Sequence, residues 1–154
     1  MAYGKCLQGK YNPENPKKYK GDVNNIIYRS GYEKKAFLFC DRNPRVVRWN
    51  SEEVVIPYWH RATKKKRRYF TDLMIQYSHK DGSISNYICE IKPAKQTIEP
   101  KPPRNPTQKA KARFLREYLT YQQNQDKWEA ARAFATKKGM KFLILTEKEL
   151  GIKR

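Results

Sequence analysis

A carboxylate and an ammonium group stand two residues apart in the apolar run ICEIK, residues 88–92. Successive side chains of a strand point to opposite faces, so Glu90 and Lys92 are predicted to share one face, ~6–7 Å apart along the chain. The apolar residues around them indicate that this face is not fully solvated. Because charged side chains are rarely buried without a partner or a metal ion, the pair is either a local ion pair or part of a site.

Two other acidic residues stand out. Asp72 lies within RYFTDLMIQY, residues 68–77, where it interrupts an apolar strand pattern. Glu33 lies at the start of a predicted helix. Asp72 and Glu90 belong to the two strands of one predicted hairpin, which can bring them together. Two or three carboxylates that converge without histidine form a hard oxygen site suited to Mg²⁺, for which Mn²⁺ can substitute.

A Mg²⁺ ion held by these carboxylates would polarise a phosphate and neutralise charge on the leaving oxygen. Lys92 on the same face would then hold or deprotonate a water molecule, or stabilise the charged transition state. The predicted function at this stage is metal-dependent phosphodiester chemistry.

Each of these residues also has a plainer interpretation. Ser30 and Glu33 have the spacing of a helix capping box, which by itself explains the glutamate. Glu90 and Lys92 can form an incidental ion pair on a solvated strand face. Asp72 can be an acid at a strand edge that pairs with one of many Lys or Arg side chains.

The net charge of +19, from 34 basic and 15 acidic residues, predicts a polyanionic partner. Such an excess destabilises the folded chain through self-repulsion, so nucleic acid is the favoured partner. An anionic membrane surface is the alternative, but the chain does not begin with a basic amphipathic helix. No apolar run approaches the ~18–20 residues of a membrane span, so we expect a soluble intracellular protein with no membrane partner.

The run RATKKKRR, residues 61–68, holds six basic residues in eight. It is predicted to form a loop or a hairpin end. A charge run is usually a solvated loop, but with the global charge we predict phosphate contacts here and at the basic start of a later helix. The predicted DNA-binding residues are Arg61, Lys64, Lys65, Lys66, Arg67, Arg68, Lys109, Lys111 and Arg113.

Cysteine and histidine offer no second type of site. Cys6, Cys40 and Cys89 are scattered and odd in number, which argues against a disulfide framework and against zinc. His60 and His79 are too isolated for a histidine–metal nuclease motif.

Residues 1–25 are predicted to be a basic, extended N-terminal arm without regular structure, and residues 26–154 a single domain. Tyr3, Tyr11 and Tyr19 of the arm can pack on the domain or stack on bases.

The domain is predicted to begin with a helix near Ser30 that ends at Asn43-Pro44. Two strand-like runs follow at 46–49 and 53–59, and Pro57 places the second at an edge or a strand end. The strand 68–77 and a strand at 85–92 form an antiparallel hairpin around Asp81-Gly82.

Five prolines stiffen the connection 93–106. Helices are then predicted at 107–121 and 126–138, the second with a capping-box spacing that starts at Asp126. Gly139 suits the helix stop. The apolar run 140–146 is predicted to be a buried strand, parallel to ICEIK because a helical crossover precedes it. The expected fold is therefore α/β, a mixed sheet flanked by helices.

The segments YRSGYE (28–33), YFTDL (69–73) and CEIK (89–92), in that order, resemble the PD-(D/E)XK nuclease superfamily. That resemblance implies a restriction-endonuclease-like core of order α-β-β-β-α-β, which is the order predicted above.

The superfamily motif also implies roles for four residues. Asp72 matches its aspartate, Glu90 its second acid and Lys92 its lysine, while Glu33 matches the helical glutamate that several members add. These four are the implied catalytic residues, and Glu33, Asp72 and Glu90 the implied Mg²⁺ ligands. Thr71 stands where the motif has proline.

Nearly the whole chain looks like the head completion nucleases of T-even-type tailed phages. The resemblance is carried by GKYNPENPKKYKGDVNNIIYRSGYEKK, KKRRYFTDL, CEIKPAKQT and YQQNQDKWEAARAFATKKGMKFLILTE. A related core occurs in the endonuclease subunit of heteromeric bacterial transposases. The family implies a protein of the virion and host cytoplasm that acts on packaged double-stranded DNA or its ends and contacts portal-proximal head or neck proteins.

Two other functions remain open at this stage. One is a structural head or neck protein that binds DNA ends without cleaving them. The other is a basic RNA- or ribosome-binding domain, which would leave the acids in apolar strands unexplained. Whether the protein nicks one strand or cuts both is also open, and so is its DNA preference. A single site cleaves one strand at a time, so a double-strand break would need a homodimer or two visits.

Overall fold

The computed structural model describes residues 8–152 of the chain, which fold into strands and two α-helices. In this part of the chain the helices are α1 (Gly31–Arg42) and α2 (Gln108–Lys137). The strands are β1 (Gly9–Lys10), β2 (Ile27–Tyr28), β3 (Val46–Asn50), β4 (Val55–His60), β5 (Lys65–Phe70), β6 (Leu73–Ser78), β7 (Ile84–Ile91) and β8 (Lys141–Leu145).

A four-stranded mixed sheet of order β3-β6-β7-β8 forms the centre of the fold. β3, β6 and β7 pair antiparallel, whereas β8 lies parallel to β7 after the crossover through α2. The strands β4 and β5 form a separate antiparallel hairpin, inserted between β3 and β6. Without this insertion the order from α1 onward is α-β-β-β-α-β, and β1 and β2 form a separate pair before it. The predicted α/β, restriction-endonuclease-like fold class is therefore confirmed.

Two hydrophobic clusters bury the two faces of the sheet. On one face Leu73 and Cys89 pack in a cluster with Phe37 of α1. On the other face Ile88 packs in a cluster with Ile56 of the hairpin and with Ala131 of α2. This alternation follows from the period of two along β7, and each fully buried large side chain stabilises the fold by about 1.5–3 kcal/mol. The side chains of Glu90 and Ile88 share a face, so Glu90 faces the hairpin.

Helix α1 begins where the sequence predicts. Ser30 is its N-cap, and the Ser30 Oγ accepts a hydrogen bond of 3.1 Å from the backbone N–H of Glu33. The helix ends before Asn43-Pro44, because proline disfavours helical geometry in the preceding residue.

The predicted arm packs against the domain wherever it is described. β1 pairs with β2, and Pro16–Lys18 form a 3₁₀ turn, so for residues 8–25 the expectation of no regular structure was wrong. Tyr11 and Tyr19 are buried and meet Trp49 edge to face, which draws the segment into the core. Tyr3 and Cys6 lie outside the described residues.

Asp41, a residue of α1, forms hydrogen bonds with the N-terminal segment. Its fully buried carboxylate accepts hydrogen bonds from the Tyr11 hydroxyl at 2.6 Å and from the backbone N–H groups of Glu14 and Asn15 at 2.7 and 2.9 Å. Burial acts to raise the pKa of Asp41, but these hydrogen bonds outweigh it and lower the pKa below its usual value.

The predicted strand 68–77 is two strands, because the chain turns at Thr71 and Asp72. The backbone N–H of Thr71 donates to the Val54 carbonyl at 3.0 Å, and the N–H of Glu52 donates to the Thr71 carbonyl at 3.0 Å. These bonds close the base of the hairpin and end β5. Placing residues 61–68 wholly in a loop or hairpin end was also wrong, since Lys65 to Arg68 belong to β5.

The two helices predicted at 107–121 and 126–138 are the single 30-residue helix α2, so that prediction was wrong. Residues 122–125 contain neither glycine nor proline, and nothing in them interrupts the helix. The Asp126 carboxylate accepts the backbone N–H of Arg61 at 3.0 Å instead of capping a helix. Gly139, with φ of +70°, follows the helix end as predicted.

The first half of α2 projects from the domain. Residues 108–121 are exposed or half-buried, and the first buried residue of the helix is Asn124. At 1.5 Å per residue this projecting segment is ~20 Å long. Neither described helix has the length and apolar character that crossing a membrane requires.

Strand β8 lies parallel to β7 as predicted, but it is not fully buried. Leu143 is 40 % exposed, because β8 is the edge strand and the clusters cover it incompletely. Cys40 and Cys89 are free and buried, and burial raises the pKa of Cys89 to about 12.

Candidate active site

Glu90 and Lys92 meet at the end of β7, on the face covered by the hairpin. The Glu90 carboxylate is 6 % exposed, and its Oε1 lies 3.5 Å from the Lys92 Nζ. Its Oε2 accepts a hydrogen bond from the hydroxyl of Tyr69, a buried residue of β5. The backbone of Lys92 is held as well, since its N–H donates to the Leu145 carbonyl at 3.0 Å.

Asp72 joins this pair from the neighbouring strand. It directly precedes the Leu73–Cys89 pair of β6 and β7, which places it beside Glu90. Its Oδ2 accepts the backbone N–H of Ile91 at 2.7 Å. Burial, and then the charge of Glu90, raise the pKa of Asp72 well above its usual value, although the Ile91 hydrogen bond opposes them.

Glu33 approaches from the N-terminus of α1. Its Oε2 accepts the backbone N–H of Arg29 at 2.9 Å, one residue earlier than a capping box places this bond. Partial burial raises the pKa of Glu33, and the nearby charges of Glu52 and Glu90 add to the effect. Glu33 is therefore within electrostatic range of the pair without contacting it.

Three residues of this region were missed from the sequence: Arg29, Glu52 and Tyr69. Arg29 forms an ion pair with Glu52, and both interact electrostatically with Glu33. Glu52 has a φ of +59°, a backbone conformation that costs a residue other than glycine about 1 kcal/mol. No spacing signal connects these positions to Glu90, since each reaches the site through the inserted hairpin or the turn before α1.

The three predicted carboxylate ligands do not form a preformed three-ligand metal site. Within residues 8–152 no group of three or more His, Cys, Asp or Glu side chains is arranged to hold a metal ion. The Asp72–Glu90 pair fits a divalent cation on another ground. Its oxygens are the ligands that Mg²⁺ prefers. The burial of Asp72 and the neighbouring charge of Glu90, which raise the pKa of Asp72, disfavour its ionised form, and a bound cation would offset both effects.

The basic run does not form one patch. The Arg61 guanidinium is paired with the buried carboxylate of Asp126, so it joins the hairpin to α2. Lys64, with φ of +53°, occupies the turn. Along β5 the side chains alternate, so Lys66 and Arg68 lie on one face of the hairpin and Lys65 and Arg67 on the other.

The predicted helical cations lie on the first turns of α2. Lys109, Lys111 and Arg113 are exposed there, and Arg113 is paired with Glu117 at 3.1 Å. They belong to the projecting segment, which precedes the part of α2 that contacts the hairpin through Gln123 and Asp126.

A family model matches most of the chain. The model described as TnsA-like endonuclease N terminal matches residues 43–147, which contain Asp72, Glu90 and Lys92 but not Glu33. The chain belongs to this TnsA-like family. It is also 47 % identical over 147 residues to the head completion nuclease of Enterobacteria phage T4, a match that covers 96 % of the chain and 93 % of that protein.

The predicted family resemblance is therefore confirmed. No solved structure matches this TnsA-like chain significantly. The family match includes the inserted hairpin as well as the sheet, so Tyr69 and the basic residues of β5 lie within it.

Proposed function

We propose that this protein is a Mg²⁺-dependent DNA endonuclease that acts in phage head completion on packaged DNA or its ends. The observation that carries the proposal is the Asp72–Glu90 pair, with Glu90 buried, Asp72 half-buried and Lys92 beside them. Carboxylates whose pKa is raised by burial and by a like charge cluster at functional sites. Membership of the TnsA-like endonuclease family and the name of the phage relative support the same function.

Asp72 and Glu90 would hold the metal ion, with Glu33 assisting from α1. A bound Mg²⁺ supplies polarisation of the scissile phosphate and neutralises charge on the leaving oxygen. Mn²⁺ is expected to substitute, since it prefers the same oxygen ligands.

Lys92 is the residue that would act on the nucleophile. Its ammonium group is anchored by Glu90 at 3.5 Å and is only partly exposed. From there it can position the attacking water or stabilise the negative charge that develops on the phosphate. The turn after Lys92 is fixed too, since the Glu147 carboxylate accepts the Ala94 N–H at 2.9 Å.

Double-stranded DNA is the proposed substrate. The charge of +19 would attract it, and the exposed cations of β5 and of the projecting segment of α2 would contact its phosphates. Such contacts give affinity without sequence specificity. The proposed setting is the virion and the host cytoplasm, with head or neck proteins as partners.

Plasmid cleavage tests the proposal. We expect nicked or linear product from the wild type with Mg²⁺ and none from Glu90→Gln, while Glu99→Gln, an exposed acid of the proline-rich connection, cleaves normally. Circular dichroism and DNA binding in chelator show whether Glu90→Gln is folded and binds. Equal cleavage by the wild type and Glu90→Gln would contradict the assignment.

The second candidate is a structural DNA-binding head or neck protein. The charge of +19 favours DNA binding whether or not the chain cleaves DNA. Normal DNA binding by the wild type with no product in either Mg²⁺ or Mn²⁺ would favour this candidate.

A further inference from the structure

One face of the β4–β5 hairpin is turned away from the core. We call it the outer hairpin face, and it consists of three directly opposed pairs: Val55 with Phe70, Pro57 with Arg68, and Trp59 with Lys66. The other face of the hairpin carries the buried Ile56, Tyr58 and Tyr69. The outer face therefore contributes nothing to the core, although four of its six side chains are apolar.

Its aromatic residues are unusually open to solvent. Trp59 is 54 % exposed and Phe70 is 47 % exposed. The Arg68 guanidinium lies over the Phe70 ring, 5.6 Å from its centroid, and Lys66 is directly opposite Trp59. Flat apolar rings thus alternate with cations on one surface, and exposed patches of this kind mark interaction sites.

The outer hairpin face also adjoins the candidate active site. Phe70 precedes Asp72 by two residues, which limits their Cα separation to ~7 Å. Tyr69, the residue before Phe70, donates its hydroxyl hydrogen bond to Glu90. The Phe70 end of the outer hairpin face is therefore close along the chain to the proposed cleavage site.

We propose that the outer hairpin face binds unpaired DNA bases, with Trp59 and Phe70 as stacking surfaces and Lys66 and Arg68 as phosphate contacts. The inference rests on the proposed function and deepens it, because it makes a frayed end or single-stranded stretch the preferred substrate. Single-stranded DNA combines flat π-faces with a polyanionic backbone, and aromatic side chains beside cations are how proteins bind it without reading sequence.

Charge favours this occupant over a protein. The hairpin carries further cations around this face, with Lys64 in the turn and the exposed Lys65 and Arg67 on the opposite face of β5. An apolar protein groove would have to desolvate these cations, whereas a nucleic acid backbone neutralises them.

Tryptophan emission gives a direct test. The chain has three tryptophans, of which Trp49 and Trp128 are 0 % and 1 % exposed, so quenching by a ligand reports on Trp59. The wild type is titrated in chelator, without cleavage, with a ten-nucleotide oligothymidylate and with an abasic oligonucleotide of equal length. We expect strong quenching by the first and little by the second.

Fluorescence anisotropy of the labelled oligonucleotides then measures affinity in variants. Trp59→Leu should lose about 5- to 100-fold in affinity for oligothymidylate and change little towards the abasic strand. Lys66→Ala should weaken both alike. Ile84→Ala is the matched control, since Ile84 is 53 % exposed at the opposite end of β7 and should bind as the wild type does.

Three outcomes would overturn the inference. They are equal quenching by the two oligonucleotides, binding by anisotropy without any change in Trp59 emission, and equal quenching by polyglutamate, which would indicate an acidic protein partner. Plasmid cleavage keeps the two proposals separate. Cleavage by the wild type with an unresponsive Trp59 overturns only this inference, whereas base-dependent quenching without cleavage in Mg²⁺ or Mn²⁺ overturns only the proposed activity.

Discussion

The Tyr69 hydroxyl donates a hydrogen bond to the Glu90 carboxylate across two different sheets. Tyr69 belongs to β5, in which the four preceding residues, Lys65 to Arg68, are basic and exposed. Glu90 belongs to the central strand β7. The bond links the strand that would grip DNA to the carboxylate that would bind metal. Burial, together with the charge of Glu90, raises the pKa of Tyr69, so the phenol stays a hydrogen-bond donor at any working pH.

Replacing Tyr69 by phenylalanine should weaken metal binding and cleavage by about 10-fold, because outer residues that orient a metal ligand have effects of this size. Isothermal titration with Mn²⁺ and single-turnover cleavage measure the two quantities. Tyr58→Phe is the matched control, since the buried Tyr58 of the same hairpin bonds Gln123 at 2.9 Å. If both variants lose Mn²⁺ affinity equally, the effect is one of packing.

Asp72→Asn should stabilise the metal-free protein. The pKa of Asp72 is higher in the folded state than its unfolded value of ~3.9, so the folded state binds the proton more tightly. The free energy of unfolding therefore falls as the pH rises from the unfolded pKa to the folded pKa. At neutral pH the amide removes this penalty and can still accept the Ile91 N–H. We expect the melting temperature in chelator to rise by ~2–4 °C for each kcal/mol gained.

Adding Mg²⁺ should reverse the order, since the wild type gains stability from binding and Asp72→Asn does not. Asp22→Asn, at an exposed position, should melt as the wild type does in both conditions. A wild type that gains nothing from Mg²⁺ or Mn²⁺ would argue against metal binding by this pair.

Asp41→Asn should destabilise the protein at pH 7 by about 2 kcal/mol, since the charged acceptor of three hydrogen bonds is lost. The folded pKa of Asp41 is lowered, so its stabilisation is complete above the unfolded value of ~3.9 and is lost as pH falls through the folded value. In urea unfolding, the difference in the free energy of unfolding between wild type and variant should therefore become smaller below pH ~4. A gap independent of pH, or a similar loss in the exposed Glu129→Gln, would contradict this reasoning.

Removing the three cations Lys109, Lys111 and Arg113 should lower DNA affinity and its salt dependence. Each lost phosphate contact reduces the magnitude of the slope of log affinity against log salt by about 0.9. The slope of the triple alanine variant should therefore be smaller than that of the wild type by up to ~2.7. Anisotropy with a labelled duplex at several salt concentrations measures this slope.

The control for total charge is the triple alanine variant of Lys17, Lys20 and Lys80. These exposed residues lie in the N-terminal segment and in the turn between β6 and β7, and they belong neither to α2 nor to the β4–β5 hairpin. Equal slopes for the two triple variants would mean that the projecting segment acts only through net charge.

The proximity of Asp72, Glu90 and Lys92 could be predicted because it depends on local rules. The period of two along a strand sets Glu90 and Lys92 on one face, and a short turn between β6 and β7 sets the register that brings Asp72 to Glu90. The N-cap of α1 is equally local, since Ser30 and Glu33 are three residues apart.

What could not be predicted depends on contacts between distant residues. The break at Thr71 comes from hydrogen bonds to Val54 and Glu52, and the apolar pattern on either side of it is continuous. Asp126 has the spacing of a helix cap, but its carboxylate is taken by Arg61, 65 residues earlier, and the helix continues. Tyr69 resembles any other aromatic strand residue until the hairpin folds over Glu90.

The place of the β4–β5 hairpin in the fold has an evolutionary consequence. β3 and β6 are neighbours in the sheet, so the chain leaves and re-enters at adjacent positions, and a tight turn would suffice to join them. This hairpin could therefore be lengthened, shortened or exchanged without altering the strand order of the sheet. Such a change would alter the basic surface proposed to bind DNA and would leave the Asp72–Glu90 pair in place, provided that the new hairpin supplies a hydroxyl group to Glu90.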